Sequence, residues 1–173
     1  MALYYGHRFS VDLDWFAESF SYNAGFRKKL STIGKLTVNS EGEKTFNGVL
    51  DEVKISFFEY PYPLIFPRVH YQGNAYLANR LDIAVMKLEA IARRGTYKDF
   101  IDMYFLLQEY SLDQLLGFLK EKFAGIEYNE THLLKAMTYF EDTPKSDFPE
   151  MIKKVNWEEV KKSLISAAEQ YMR

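Results

Sequence analysis

The spacing of apolar residues changes near the middle of this 173-residue chain, and the change limits the folds that it can adopt. Before residue 60, short runs such as 53–58 have one apolar face with a period of two, which is typical of half-buried strands. After Leu77, apolar residues recur three and four positions apart, which is typical of helices that bury one stripe. The chain is therefore predicted to have an α+β fold, with a small sheet and at least one helix followed by a helical C-terminal part.

The segment from Tyr60 to Pro67 separates these two patterns. Its three prolines, Pro61, Pro63 and Pro67, each lack a backbone donor, which excludes a central strand or a helix here. We predict an extended loop that either packs on the protein's own core or lines a cleft. The predicted division of the chain is a core over residues 1–76 and a helical part over residues 77–173.

Capping and turn residues predict where individual elements begin and end. Thr96 and Asp99 have the spacing of a capping box, and Ser111 and Gln114 have the same spacing. Turns are expected at 41–42 and 47–48, where glycine follows Glu or Asn. The expected elements are strands over 35–38, 44–50 and 52–59, and helices over 22–33, 77–94, from 96, from 111, 130–140 and 156–172.

Composition excludes several classes of protein. The net charge is −2, so contact with nucleic acid would depend on a local basic patch. Cysteine is absent, which excludes disulfides and cysteine-based zinc sites. No stretch approaches the roughly 20 apolar residues of a membrane span, and the first residues lack the pattern of a secretion signal. We therefore expect a soluble cytoplasmic protein with no membrane partner.

Two acids in the segment from Ser10 to Asp14 are the first candidate site. Asp12 and Asp14 alternate with apolar residues, as on a half-buried strand, so their carboxylates would point to the same face about 6.6 Å apart along the chain. Two hard oxygen ligands at this separation can share Mg²⁺, as metal-assisted phosphoryl or nucleotidyl transfer requires. The alternative is an ordinary strand with two solvated acids.

Basic residues around a predicted helix start are the second candidate site. Arg94 and Lys98 lie on either side of the expected cap at Thr96, and helical spacing places Lys87 on the same face as Arg94. Cations beside the unpaired N–H groups of a helix N-terminus favour anion binding. The alternative is a solvated basic edge in which Lys98 pairs with Asp102.

Two blocks of sequence together resemble the AbiEii-type nucleotidyltransferase toxins, a family of the polymerase-β-like nucleotidyltransferase superfamily. The similarity covers about residues 2 to 116 and includes the strand 53–58. The blocks are Arg8-x-Ser10-x-Asp12-Leu13-Asp14 and Asp82-Ile-Ala-x-Met86-Lys87-Leu-x-Ala90-x-x-x-Arg94-Gly-x-x-Lys98-Asp99-Phe-Ile-Asp102-x-Tyr104-x-Leu106.

This resemblance implies a polymerase-β-like nucleotidyltransferase core, a small mixed sheet with helices, over residues 1–76. It implies Mg²⁺-dependent transfer of nucleotide from a nucleoside triphosphate to an acceptor such as the 3′ end of tRNA or another RNA. It also implies an antitoxin partner that acts as a transcriptional regulator. The matching residues are Asp12 and Asp14 as metal ligands, Arg8, Ser10, Lys87, Arg94 and Lys98 for the nucleotide, and Lys87, Asp99 and Asp102 in the later catalytic motif.

Two positions differ from the family pattern. The Gly-Gly or Gly-Ser turn that precedes the first block in the family has no counterpart among residues 1–8. Such a turn would hold the triphosphate through backbone N–H groups. Ser56 stands in the strand position where superfamily members often carry a third acid. These differences support an alternative expectation, a truncated and catalytically impaired relative that binds nucleotide or an antitoxin without transferring anything.

Overall fold

The computed structural model describes residues 1–143 and 148–173. This part of the chain contains a four-stranded mixed sheet, a two-stranded ribbon and seven helices, which confirms the α+β class. The strands are β1 (Asp12–Ala17), β2 (Leu36–Gly42), β3 (Thr45–Leu50), β4 (Val53–Glu59), β5 (Val69–His70) and β6 (Tyr76–Leu77). The helices are α1 (Ala2–Tyr5), α2 (Ala24–Ile33), α3 (Arg80–Arg93), α4 (Tyr97–Leu106), α5 (Leu112–Lys122), α6 (Glu130–Thr138) and α7 (Trp157–Tyr171).

The chain forms two compact units. One is the sheet unit, Ser10–Pro63, and the other is the helical unit, which combines Met1–Phe9 with Leu64–Arg173. These limits differ from the single boundary after residue 76 that the sequence predicts for the functional core. The first nine residues thus belong to the same compact unit as the helices that follow Leu64.

In the sheet unit the strand order is β1-β4-β3-β2, with β1 parallel to β4 and the other pairs antiparallel. Helix α2 covers one face, where Leu30 packs with Phe46 and Ile55 in a small core. Because strand residues alternate between faces, every second residue of β1 and β4 belongs to the opposite face. That opposite face carries the acids of β1, which begins at Asp12 and so confirms the predicted acidic strand.

Asn47-Gly48 lies inside β3, so the turn predicted there is wrong. A Cβ atom on residue 48 would lie 2.8 Å from the carbonyl oxygen of Thr37, so close packing between strands requires glycine at this position. The chain turns instead at Asp51 and Glu52, whose φ angles of 44° and 71° suit a two-residue hairpin. Asn47-Gly48, a dipeptide that is common in turns, therefore lies inside a strand here, because the close packing of β3 against β2 requires glycine.

Two helices of the helical unit, α4 and α5, begin where their capping residues predict. Both capping boxes are present, at Thr96 with Asp99 and at Ser111 with Gln114. Helix α3 contacts α4, α5 and α6, while α7 packs on α4, α5 and α6. The core of this unit contains Ala84, Val85, Leu88, Ile91, Phe100, Ile101, Met103, Leu106, Leu115, Leu116, Met137, Val160 and Leu164.

The proline-rich segment has neither helix nor strand from Tyr60 to Arg68, which confirms the predicted loop. Within the helical unit, the backbone N–H groups of Ile65 and Phe66 each donate to the Asp82 carboxylate at 3.0 Å. Lys122 also donates to this fully buried carboxylate, at 2.8 Å. The later part of the loop is thus attached to the start of α3 by two hydrogen bonds, while the buried Asp82–Lys122 pair joins α3 to α5. Among the described residues, no helix is both long enough and apolar enough to cross a membrane.

Candidate functional site

The acids of β1 lie on the face of the sheet opposite α2. Asp12 pairs with Lys54 and Asp14 pairs with Ser56 on the parallel strand β4. Asp12 is half-buried and Asp14 is exposed. The two carboxylates therefore share one face of the sheet, as the alternation in the sequence predicts.

A row of polar residues crosses all four strands beside these acids. Asp14 is in register with Ser56, Ser56 with Asn47, and Asn47 with Ser40. The Asn47 side-chain amide donates to the Ser40 hydroxyl at 3.0 Å. The face opposite α2 thus has carboxylate, hydroxyl and amide groups in one line, whereas the covered face is apolar.

The chemistry of these groups fits Mg²⁺. Magnesium is bound through oxygen, typically by one or two carboxylates, several waters and the phosphates of a substrate. Asp12 and Asp14 supply the carboxylates, and the Ser56 hydroxyl lies beside Asp14 in register. The described residues include no group of three or more His, Cys, Asp or Glu side chains arranged to hold a metal. The set therefore suits an ion that is shared with a phosphorylated ligand better than a closed protein cage.

In the helical unit, Asp102 is the centre of a buried charge network. Arg8 donates to both oxygens of its carboxylate, from Nε and from a terminal nitrogen, each at 2.9 Å. Lys87 Nζ lies 2.8 Å from the same carboxylate, and His7 Nε2 lies 2.8 Å from it. Because an ionised carboxylate only accepts hydrogen bonds, His7 Nε2 carries the proton.

The main chain of residues 7–9 is fixed by a segment near the C-terminus. Phe9 donates its backbone N–H to the Glu150 carbonyl, and the backbone N–H groups of Ile152 and Lys153 donate to the His7 carbonyl. Arg8 also forms a single antiparallel bridge with Met151. These contacts explain how His7 and Arg8 reach a carboxylate some 95 positions away in sequence.

Asp99 is the second carboxylate of the network and also caps α4. It accepts from the Thr96 hydroxyl at 2.7 Å, from Lys87 Nζ at 2.9 Å and from Arg94 Nε at 3.1 Å. The Thr96 backbone N–H donates to it as well, at 3.4 Å. The helix N-terminus that the sequence suggested for an external anion is therefore next to a carboxylate of the protein itself.

Opposing effects set the pKa values in this network. Burial would raise the pKa of Asp102, but hydrogen bonds from His7 and Arg8 hold it well below its usual value. Burial would also raise the pKa of Asp99, and Lys87 with Arg94 lowers it. Burial would lower the pKa of Lys87, yet the two carboxylates raise it. All three groups are thus charged at neutral pH.

Counted without His7, the network has one more cation than it has carboxylates. Arg8, Lys87 and Arg94 carry three positive charges against the two of Asp99 and Asp102. Lys87 is 17% exposed, so it is not part of a solvated basic edge, whereas Arg94 is largely exposed. The excess positive charge and the exposed arginine allow this cluster to interact with an anion such as phosphate.

The structure brings together five of the residues chosen from the sequence: Arg8, Lys87, Arg94, Asp99 and Asp102. Lys98 is half-buried in the first turn of α4, while Ser10, Asp12 and Asp14 belong to the sheet unit. Sequence reasoning missed His7, which is fully buried on Asp102. His7 directly precedes Arg8, the first residue of the first block, and this neighbourhood is the only sequence signal that could have pointed to it.

The fold and these residues define an α+β protein with an acidic strand in a small mixed sheet and a buried charge network among its helices. The chain is 32% identical over 177 residues to the uncharacterized protein aq_aa25 of Aquifex aeolicus (strain VF5), an alignment that covers 97% of this chain and 82% of that protein. The chain belongs to the same family as this Aquifex protein. No protein-family model matches the chain, and no solved structure matches it.

Proposed function

We propose that this protein is a Mg²⁺-dependent nucleotidyltransferase of the AbiEii toxin type. It would transfer nucleotide from a nucleoside triphosphate to an acceptor such as the 3′ end of tRNA. The observation that carries the proposal is the pair of carboxylates, Asp12 and Asp14, on one face of β1 with Ser56 in register beside them. The similarity of the two sequence blocks to that toxin family adds the class of reaction.

Asp12 and Asp14 are the proposed metal ligands. Magnesium bound to them would supply positive charge against the triphosphate. Asp14 is exposed, so its carboxylate is accessible to a ligand from solvent, while Asp12 beside it is half-buried with its Oδ1 atom buried. Ser10, two residues before Asp12, is also exposed and is proposed to bind the phosphates through its hydroxyl.

Lys87 is proposed to contribute a fixed positive charge for phosphate. Because Asp99 and Asp102 raise its pKa, Lys87 stays protonated and does not serve as a general base. Asp99 and Asp102 are correspondingly ionised, which supports a positioning role in which they orient Lys87, Arg8 and Arg94. Phosphoryl transfer depends mainly on alignment and charge stabilisation, so fixed cations of this kind are what it requires.

The similarity to that toxin family also suggests the proposed partners. They are a nucleoside triphosphate, tRNA or another RNA as acceptor, and an antitoxin that is also a transcriptional regulator. An RNA acceptor implies action in the cytoplasm. Arg94 and Lys98 are proposed to bind the nucleotide phosphates from the start of α4.

A second candidate function is binding of nucleotide or of an antitoxin without transfer. The register between Asp14 and Ser56 favours it, because a hydroxyl occupies the place beside the acids where the superfamily often has a third carboxylate. A relative with only two carboxylates would bind a metal–nucleotide complex less tightly and position it less well.

The experiment is to incubate the purified chain with Mg²⁺, total tRNA and each of the four α-³²P-labelled nucleoside triphosphates in turn. The native protein is expected to label RNA, and Asp12→Ala to reduce labelling to background. Glu43→Gln is the matched control, since it removes an exposed carboxylate from a turn of the same unit. Unchanged labelling by Asp12→Ala would contradict the metal role, and nucleotide binding by the native chain without labelling would favour the second candidate.

A further inference from the structure

We infer that Phe16 and Phe58 form the surface on which the base of the bound nucleotide stacks. The inference rests on the proposed function and deepens it by assigning the base-binding part of the same site. Both residues belong to the sheet unit, in β1 and β4.

Strand register places the two rings on the face that carries the acids. Asp14 pairs with Ser56, and two positions further along the same parallel strands Phe16 pairs with Phe58. Residues two apart on a strand share a face and lie about 6.6 Å apart along it. Phe16 and Phe58 therefore follow directly after Asp14 and Ser56, on the same face of the sheet.

The two rings form a stack that is open to solvent. Their centroids are 5.4 Å apart with an interplanar angle of 27°, and Phe16 is 49% exposed. Tyr60 meets Phe16 edge-on at 5.6 Å, and its backbone N–H donates to the Ala17 carbonyl at 2.7 Å. This hydrogen bond continues the contact between β1 and β4 past the aromatic pair. The stack is thus held in place from one side while half of the Phe16 side chain stays accessible.

The position of the stack suits a nucleotide. Phe16 and Phe58 lie near the carboxyl ends of β1 and β4, two positions beyond Asp14 and Ser56. A ligand that uses both the carboxylates and the rings needs metal-bound phosphates and a flat aromatic group, and a nucleoside triphosphate has both. A protein partner that covered only the rings would make no use of Asp12 and Asp14.

Stacking also predicts how the site discriminates between nucleotides. Every base offers a π-face, so stacking tolerates all four, but the larger ring system of a purine covers more of the aromatic pair. We therefore expect ATP and GTP to bind more tightly than CTP and UTP, with a difference of less than about tenfold.

The test compares a ligand that has a base with one that lacks it. Calorimetric titration of the full chain with Mg²⁺ and ATP, and separately with Mg²⁺ and inorganic tripolyphosphate, measures both Kd values. Phe16→Ala is expected to raise the Kd for ATP about tenfold and to leave the Kd for tripolyphosphate unchanged. Phe16→Trp is expected to restore ATP binding, because it restores a stacking surface.

Leu13→Ala is the matched control. Leu13 lies on the same strand and is 47% exposed, but its register with Ile55 places it on the face covered by α2. This variant is expected to bind both ligands as the native chain does.

Each other result has a definite meaning. If Phe16→Ala binds ATP as tightly as the native chain does, or loses both ligands equally, the base-stacking inference is wrong while the proposed metal site stands. If the native chain binds neither ATP nor tripolyphosphate in the presence of Mg²⁺, both the inference and the proposed function are wrong.

Discussion

Asp14 in the sheet unit and Asp102 in the helical unit lie in opposite environments. Asp14 is exposed on the polar face of the sheet, next to a serine and an open aromatic pair. Asp102, in the helical unit, is fully buried and accepts hydrogen bonds from an arginine and a histidine while pairing with a lysine. An exposed acid of the first kind is available to a ligand, whereas a buried acid of the second kind holds parts of the chain together.

This difference has a consequence for the cations as well. Lys87 is shared between Asp99 and Asp102, and Arg8 is fixed on Asp102 by two hydrogen bonds. Neither side chain can change its position without removing an ion pair from a buried carboxylate. Such preorganised cations stabilise negative charge without the cost of reorganisation during a reaction. The buried network therefore stabilises the fold, and under the proposed function it would also bind phosphate, while the acids of β1 would hold the metal.

The largest expected effect is that of Asp102→Asn. The substitution leaves Arg8 and part of the charge of Lys87 uncompensated in a buried place, and is expected to cost about 3 to 5 kcal/mol of the free energy of unfolding. Asp14→Asn, the same chemical change at an exposed position, is expected to stay within about 0.5 kcal/mol. Urea unfolding measures both, and similar losses in the two variants would remove the contrast between the units.

Lowering the pH tests how much stability the buried acids contribute. The folded-state pKa values of Asp99 and Asp102 lie below the ordinary value of 3.8, so these groups contribute stability that is present above that value. The contribution is lost as pH falls from about 4 toward the lower folded-state values. Unfolding free energies measured from pH 5 downward are expected to decline steeply in the native chain and less steeply in Asp102→Asn. Parallel curves for the two proteins would contradict the network's role.

A pair of glycine substitutions gives a smaller effect of opposite sign in the two units. Gly48→Ala places a methyl group 2.8 Å from the Thr37 carbonyl oxygen and 2.9 Å from the Phe46 ring, and is expected to destabilise by about 1 to 3 kcal/mol. Gly117→Ala in α5 meets nothing within 4 Å and is expected to stabilise by about 0.5 to 1 kcal/mol. Thermal unfolding of both variants checks the signs. A neutral Gly48→Ala would show that the strands can separate slightly there.

Local chemistry made much of this fold predictable. The capping boxes at Thr96 and Ser111 were found from the sequence because the groups that form them are three residues apart. The same holds for the acidic strand, whose alternation sets the shared face of Asp12 and Asp14.

Long-range contacts were not predictable in the same way. Asn47-Gly48 is a common turn dipeptide, yet glycine is required at position 48 because a side chain would collide with the Thr37 carbonyl oxygen on the neighbouring strand. The contact of His7 with Asp102 joins residues 95 positions apart, and no pattern within the first block indicates it. In both cases the decisive partner is distant in sequence, so no local spacing encodes it.

The most direct test of the central claim measures the unfolding temperature with and without Mg²⁺ and ATP, for the native chain and for Asp14→Asn. We expect a rise of roughly 5 to 10 °C for the native chain at about 100 times Kd, because the ligand binds only the folded state. We expect no rise for Asp14→Asn, and an unfolding temperature without ligand equal to that of the native chain. An equal rise in both proteins, or a fall in the unliganded variant, would contradict the claim that this acid is present for a metal–nucleotide ligand.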